Sequence, residues 1–143
     1  KISLTAIKVK GRFEIIRKNP TVIADASHNP EGIGWFCRNL TEYYPRNKKI
    51  IIFAVLKDKD YGKMAEQIIG VADTLILTSS QNERSLDIDL LEHTVLSLIK
   101  SKNRPLEVYK IDNIANSLNF ALKISCLGAI ICITGSITNL EHI

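Results

Sequence analysis

Apolar and polar positions follow two rhythms along this chain, and the switches between them mark out its elements. Residues 13–17 and 21–25 read as two short strands joined by Lys18-Asn19-Pro20, a turn signal that makes them a hairpin. From Pro30 the period changes. Ile33, Phe36, Cys37, Leu40 and Tyr44 fall at helical spacing on one face, and Pro45 ends the run. Residues 50–56 are continuously apolar and bounded by charge, the mark of a strand buried on both faces. Tyr61, Met64, Ala65, Ile68 and Ile69 then predict a second helix, closed by Gly70. Residues 74–78 are another buried strand, and Ile88, Leu91, Val95, Leu98 and Ile99 trace a third helix. Asn103-Arg104-Pro105 breaks it, and residues 106–110 form the next strand. Asp112 is expected to cap a fourth helix carrying Ile114, Ala115, Leu118, Ala121 and Leu122, with Gly128 as its stop. Residues 129–134 make the last strand, and residues 1–10 alternate imperfectly, as a linker or an edge strand would.

This alternation predicts one α/β domain over residues 1–143. Its sheet should be Rossmann-like and mostly parallel, with right-handed crossovers, helices on both faces and an antiparallel strand in the N-terminal hairpin. Such a sheet collects the carboxyl ends of its strands on one rim, where ligands bind. The rim would hold Asp25 and His28, residues 58–60, residues 78–84, and Thr134-Gly135-Ser136. Asn29 suits an N-cap and Pro30 the first helical position, which sets His28 beside a helix N-terminus. Acid, imidazole, ammonium and hydroxyl groups near helix N-termini suit a ligand bearing phosphate or carboxylate. Each residue also has a plainer reading. Asp25 serves as well to cap the helix after it, and a lone turn histidine is more often a structural hydrogen-bonder. Asp58 and Asp60 read equally as N-caps with a solvated Lys59 between them, and Arg12 as a surface residue.

Composition narrows the classes. With 45% apolar and 24% charged residues the chain is an ordinary globular one. No apolar run approaches the roughly 20 residues of a membrane-spanning helix. A signal peptide is not visible, and a start at Lys1 rather than Met reads as a fragment. The net charge of +4 comes from scattered basic pairs, which speaks against a nucleic-acid face and for a small anionic substrate. Cys37, Cys126 and Cys132 lie in apolar stretches without CxxC spacing, so buried inert thiols and a reducing, cytoplasmic setting are expected. No metal-ligand spacing occurs. A phosphate-cradling G-x-x-x-x-G-K-[ST] loop is also missing, since Gly62-Lys63 precedes Met64 and Lys57 takes the first glycine's place. Gly32 and Gly34 lack the third glycine of a dinucleotide fingerprint, because Cys37 stands there.

Four motifs in fixed order then become specific: Gly11-Arg12-Phe13-Glu14, Asp25-Ala26-Ser27-His28-Asn29-Pro30, Leu56-Lys57-Asp58-Lys59-Asp60 and Ile133-Thr134-Gly135-Ser136. Together they resemble the C-terminal domain of folylpolyglutamate synthase/dihydrofolate synthase, a branch of the Mur ligase superfamily. The resemblance covers essentially the whole chain. It implies an ATP-dependent ligase that adds L-glutamate to dihydropteroate or folate through an acyl phosphate. ATP and Mg2+ would be held mainly by an N-terminal ATPase domain absent from this chain, so the domain alone would be inactive. By the same resemblance, Arg12 reaches ATP phosphates, Asp25 contacts the nucleotide ribose, and His28 faces the reaction centre. Lys59 and Ser136 would meet the incoming glutamate. The family often has Gly-Ala where Ala26-Ser27 stands and Gly where Val55 stands. The rival readings are another Mur-type amino-acid ligase and a non-enzymatic α/β binding module.

Overall fold

The computed structural model describes residues 12–136; Gly11 and the segment read as a linker or edge strand lie outside the described residues. In chain order the elements are β1 (Glu14–Arg17), β2 (Thr21–Ala24), α1 (Pro30–Tyr43), β3 (Lys49–Phe53) and α2 (Tyr61–Ile69). They continue with β4 (Thr74–Leu77), α3 (Ile88–Lys102), β5 (Glu107–Lys110), α4 (Ile114–Ile124) and β6 (Ile130–Thr134). The six strands form one sheet in the order β1-β2-β6-β3-β4-β5. β1 pairs antiparallel with β2 and every other pair is parallel. The expected α/β sheet and its hairpin are therefore present.

Apolar content sets each strand's place. β3, β4 and β6 are buried at every position and lie inside the sheet, whereas β1 and β5 reach solvent and form its edges. The strand order also distributes the helices. The steps β2 to β3, β3 to β4 and β4 to β5 run one way across the sheet, while β5 to β6 runs back. Right-handed crossovers then put α1, α2 and α3 on one face and α4 alone on the other. Two apolar clusters match this division. Phe36, Leu40, Met64, Ile68, Leu91 and Val95 pack on one side, and Ile114 and Ala121 meet Ile52, Ile76 and Ile133 on the other. Each of the large side chains among them, fully buried, contributes about 1.5–3 kcal/mol.

The local expectations hold with four corrections. Asn29 caps α1 by accepting from Gly32 N at 2.8 Å, and Pro30 opens the helix. The cap of α4 is Asn113, not Asp112. Asn113 Oδ1 accepts from Asn116 N at 2.8 Å, while Asp112 accepts only from the Asn116 side chain. Gly128 does not stop α4, which ends at Ile124 when Ser125 turns extended and its Oγ donates to Leu122 O at 2.9 Å. Gly128 instead takes a positive φ of 83° in the turn that enters β6. β3 stops at Phe53 rather than running to residue 56, because Leu56 leaves the sheet to bridge Ser85.

The fourth correction concerns the thiols. Cys37 and Cys132 are buried, but Cys126 is exposed, since it falls in the turn after α4 rather than in β6. Burial pushes the Cys37 thiol up to about 12 and raises Cys132 as well. One thiol per chain should therefore react with a disulfide reagent at pH 8, and three after denaturation. Rapid labelling of Cys37 in the folded protein would contradict this burial.

Candidate functional site

Three adjacent strands supply the centre of the carboxyl rim. β2 runs into Asp25 and His28, β6 into Gly135 and Ser136, and β3 into residues 57–60. The strand order alone brings these distant segments together. Backbone bonds extend the ladder past the strand ends: Asp25 N donates to Ile133 O at 2.9 Å, Gly135 N to Ser27 O at 3.2 Å, and Ala54 N to Thr134 O at 3.3 Å.

Asp25 is the anchor. Its exposure is 0%, and its carboxylate accepts from Phe13 N at 2.9 Å, Ser27 N at 3.1 Å and Thr134 Oγ1 at 3.4 Å. It thus ties the entry to β1, the turn after β2 and the end of β6 to one buried group, and it does not cap α1. Phe13 completes the tie. It holds a left-handed φ of 49°, costly for a bulky residue, and its buried ring packs with Trp35, Phe36 and Tyr43 at centroid distances of 6.0–6.3 Å. Arg12, next in the chain, is exposed and held out from this anchor.

His28 is exposed at the start of α1. Its Nδ1 lies 3.2 Å from Ala26 O, and since a carbonyl only accepts, Nδ1 carries the proton and a neutral ring offers Nε2 as an acceptor. Ser27 is buried and its hydroxyl donates to Gly32 O at 3.0 Å, which fixes the turn against α1.

The β3 side is more open. Asp60 caps α2, accepting from Lys63 N at 3.4 Å, as its plainer reading had it. Asp58 caps nothing and instead pairs with Arg84 at 2.6 Å, in the loop after β4. That guanidinium holds the Asp58 carboxyl below its usual range. Lys59 is half-buried between them, and Ser136 is enclosed at 1% exposure.

Sequence reasoning brought Asp25, His28, Lys59 and Ser136 to this rim, and the structure gathers them there. Thr134 and Arg84 were also expected on the rim and Phe13 in the arginine motif, but not the parts they play: Thr134 bonds Asp25, Arg84 pairs with Asp58, and Phe13 turns through a left-handed φ. A backbone angle and a loop-to-loop pairing leave no local pattern in the sequence. Among the described residues no three His, Cys, Asp or Glu side chains are grouped to hold a metal ion, and no helix is long and apolar enough to cross a membrane.

Comparison with known proteins identifies the family of this domain. The dihydrofolate synthase/folylpolyglutamate synthase of Mycobacterium tuberculosis is 31% identical over 86 residues, spanning 60% of this chain and 18% of that protein. The Bacillus subtilis protein of the same name is 28% identical over 101 residues, spanning 70% of this chain and 24% of that protein. The solved M. tuberculosis folylpolyglutamate synthase, complexed with ADP and AMPPCP, superposes with a TM-score of 0.80 at 25% identity, over 94% of this chain and 31% of that one. The Yersinia pestis bifunctional enzyme shares the fold at a TM-score of 0.83 and 17% identity, over 97% of this chain and 31% of that one. The chain thus spans less than a third of the length of these relatives. The family model of the Mur ligase glutamate ligase domain matches residues 11–137, from the arginine motif through the glycine-serine turn, and the chain belongs to that family.

Proposed function

We propose that the chain is the C-terminal domain of a cytoplasmic, ATP-dependent ligase that joins L-glutamate to dihydropteroate or folate and works with its own N-terminal ATPase domain. The observation that carries this reading is the buried anchor at Asp25, which holds an exposed arginine and an exposed histidine at one rim of a glutamate ligase domain. Both relatives bear the name dihydrofolate synthase/folylpolyglutamate synthase, and the M. tuberculosis neighbour was solved with ADP and AMPPCP.

The residues present fit a phosphate-bearing ligand. Arg12 is exposed and offers several fixed donors to phosphate oxygens. Asp25 has no surface to give a ribose hydroxyl, so its part in nucleotide binding is indirect, through the position of Arg12. In the reaction ATP activates the substrate carboxylate as an acyl phosphate, and the amide forms as the glutamate nitrogen displaces phosphate. The chain's contribution is to position and stabilise charge as the two domains close. His28 would face the reaction centre with Nε2. Lys59 would meet the glutamate carboxylate, with Ser136, enclosed at the same rim, as a nearby polar contact. Mg2+ would be held mainly by the N-terminal domain.

The test is phosphate release by the full-length protein with ATP, L-glutamate and either dihydropteroate or folate. Release that requires both acid and glutamate is expected. Release with a different acid and amino acid would reassign it to another Mur-type ligase, and ligand binding without turnover would favour a binding module. Arg12→Ala should raise KM for ATP about tenfold or more, the loss of a charge-assisted contact, with melting temperature unchanged. Unaltered kinetics would remove Arg12 from the nucleotide site.

A further inference from the structure

At the end of the sheet opposite the rim, a cavity of about 380 Å3 opens beside the first residue of β3 and the turn into β4. Four cationic residues line it, Arg46, Lys48, Lys49 and Arg104, against the single acidic residue Asp73.

Lys49 is the unusual member. It is 7% exposed, and its ammonium donates to Asn47 O at 3.0 Å. Among the described residues no carboxylate pairs with that ammonium. Asp73 is engaged elsewhere, accepting from the Lys49 backbone N–H at 2.9 Å. A buried cation without a counter-charge is costly unless something supplies one.

Helix ends explain part of the pattern. α1 and α2 finish here, and C-terminal carbonyls favour cations. Arg104 serves that role in donating to Ala72 O at 2.8 Å, just beyond α2. One capping arginine does not account for four positive groups around one recess, two of them, Arg46 and Lys48, exposed to solvent.

We propose that this cavity binds a small polyanion carrying two or more clustered oxygen charges. The site is separate from the carboxyl rim and does not depend on the ligase reading. Neither Arg46 nor Lys48 packs in the core, so exchanging both leaves the fold intact.

The test is a titration of the isotope-labelled full chain with inorganic pyrophosphate and, separately, with citrate. Amide resonances of residues 47–49 and 70–73 should shift and saturate. The tighter of the two probes tells whether the natural ligand is phosphoryl or carboxylate in kind. The double variant Arg46→Gln with Lys48→Gln should bind about tenfold more weakly, and added salt should weaken the native protein similarly. Lys49→Met should abolish saturation; if that variant does not fold, the double variant still decides. Shifts confined to residues 25–29 and 57–60, shifts that never saturate, or equal affinity in the double variant would overturn the proposal.

Discussion

Replacing Gly135 by alanine is expected to destabilise the domain by about 3–5 kcal/mol, the sum of backbone strain and overpacking. Two independent causes act at this position. Its φ of 115° is closed to side-chain-bearing residues, and a Cβ there would stand 2.1 Å from Ala54 O and 2.9 Å from the Phe53 ring. The carbonyl belongs to the backbone just past β3 and cannot rotate away as a flexible side chain would. Gly62→Ala is the matched control, because a Cβ at Gly62 meets nothing within 4 Å and the position lies in α2. Alanine there should be neutral or stabilising by up to about 1 kcal/mol. Denaturant midpoints of the two variants decide the matter. If Gly135→Ala unfolds at the native midpoint, the chain leaving β6 does not approach the end of β3 as closely as described.

The second large effect is expected at Asp25. Asp25→Asn keeps the shape but turns one acceptor into a donor, and both carboxylate oxygens accept from fixed N–H groups. One of those donors must then face another. The cost should be about 2–3 kcal/mol, that of a buried polar group left unsatisfied. A purely structural role would stop there. If Asp25 also sets the position of Arg12, the variant should raise KM for ATP in the full-length enzyme. Combining it with Arg12→Ala should then add little more, since both act through one contact. Fully additive losses of the two variants would separate Asp25 from the nucleotide.

Much of this domain was legible because its signals were local. Asn29-Pro30 announced the start of α1 through the chemistry of capping, and the apolar runs of β3, β4 and β6 announced interior strands. The parallel arrangement followed from alternation. Where sequence reasoning failed, neighbouring residues competed for one task. Asp112 and Asn113 are both able caps, and the backbone of Asn113, extended at φ −147°, is the one that fits. Gly128 resembles a helix stop, yet Ser125 ends α4 three residues earlier with its own hydroxyl. The buried state of Asp25 was out of reach for another reason. An acid at a strand end looks alike whether it faces solvent or the backbone of a residue twelve positions away. Nothing in composition separates the two.

The place of β6 has a consequence for how this chain comes off the ribosome. It is the last of the described strands to be synthesised, yet it lies in the middle of the sheet, between β2 and β3. Until residue 134 has emerged, the hairpin of β1 and β2 and the block of β3, β4 and β5 have no direct pairing with each other. Both present an apolar, unpaired edge during that interval, the geometry that invites intermolecular strand addition. Synthesis that stalls or terminates before residue 130 would therefore leave two sticky half-sheets rather than a slightly shortened domain. Holding such a nascent chain until its final strand arrives is a task suited to a ribosome-associated chaperone.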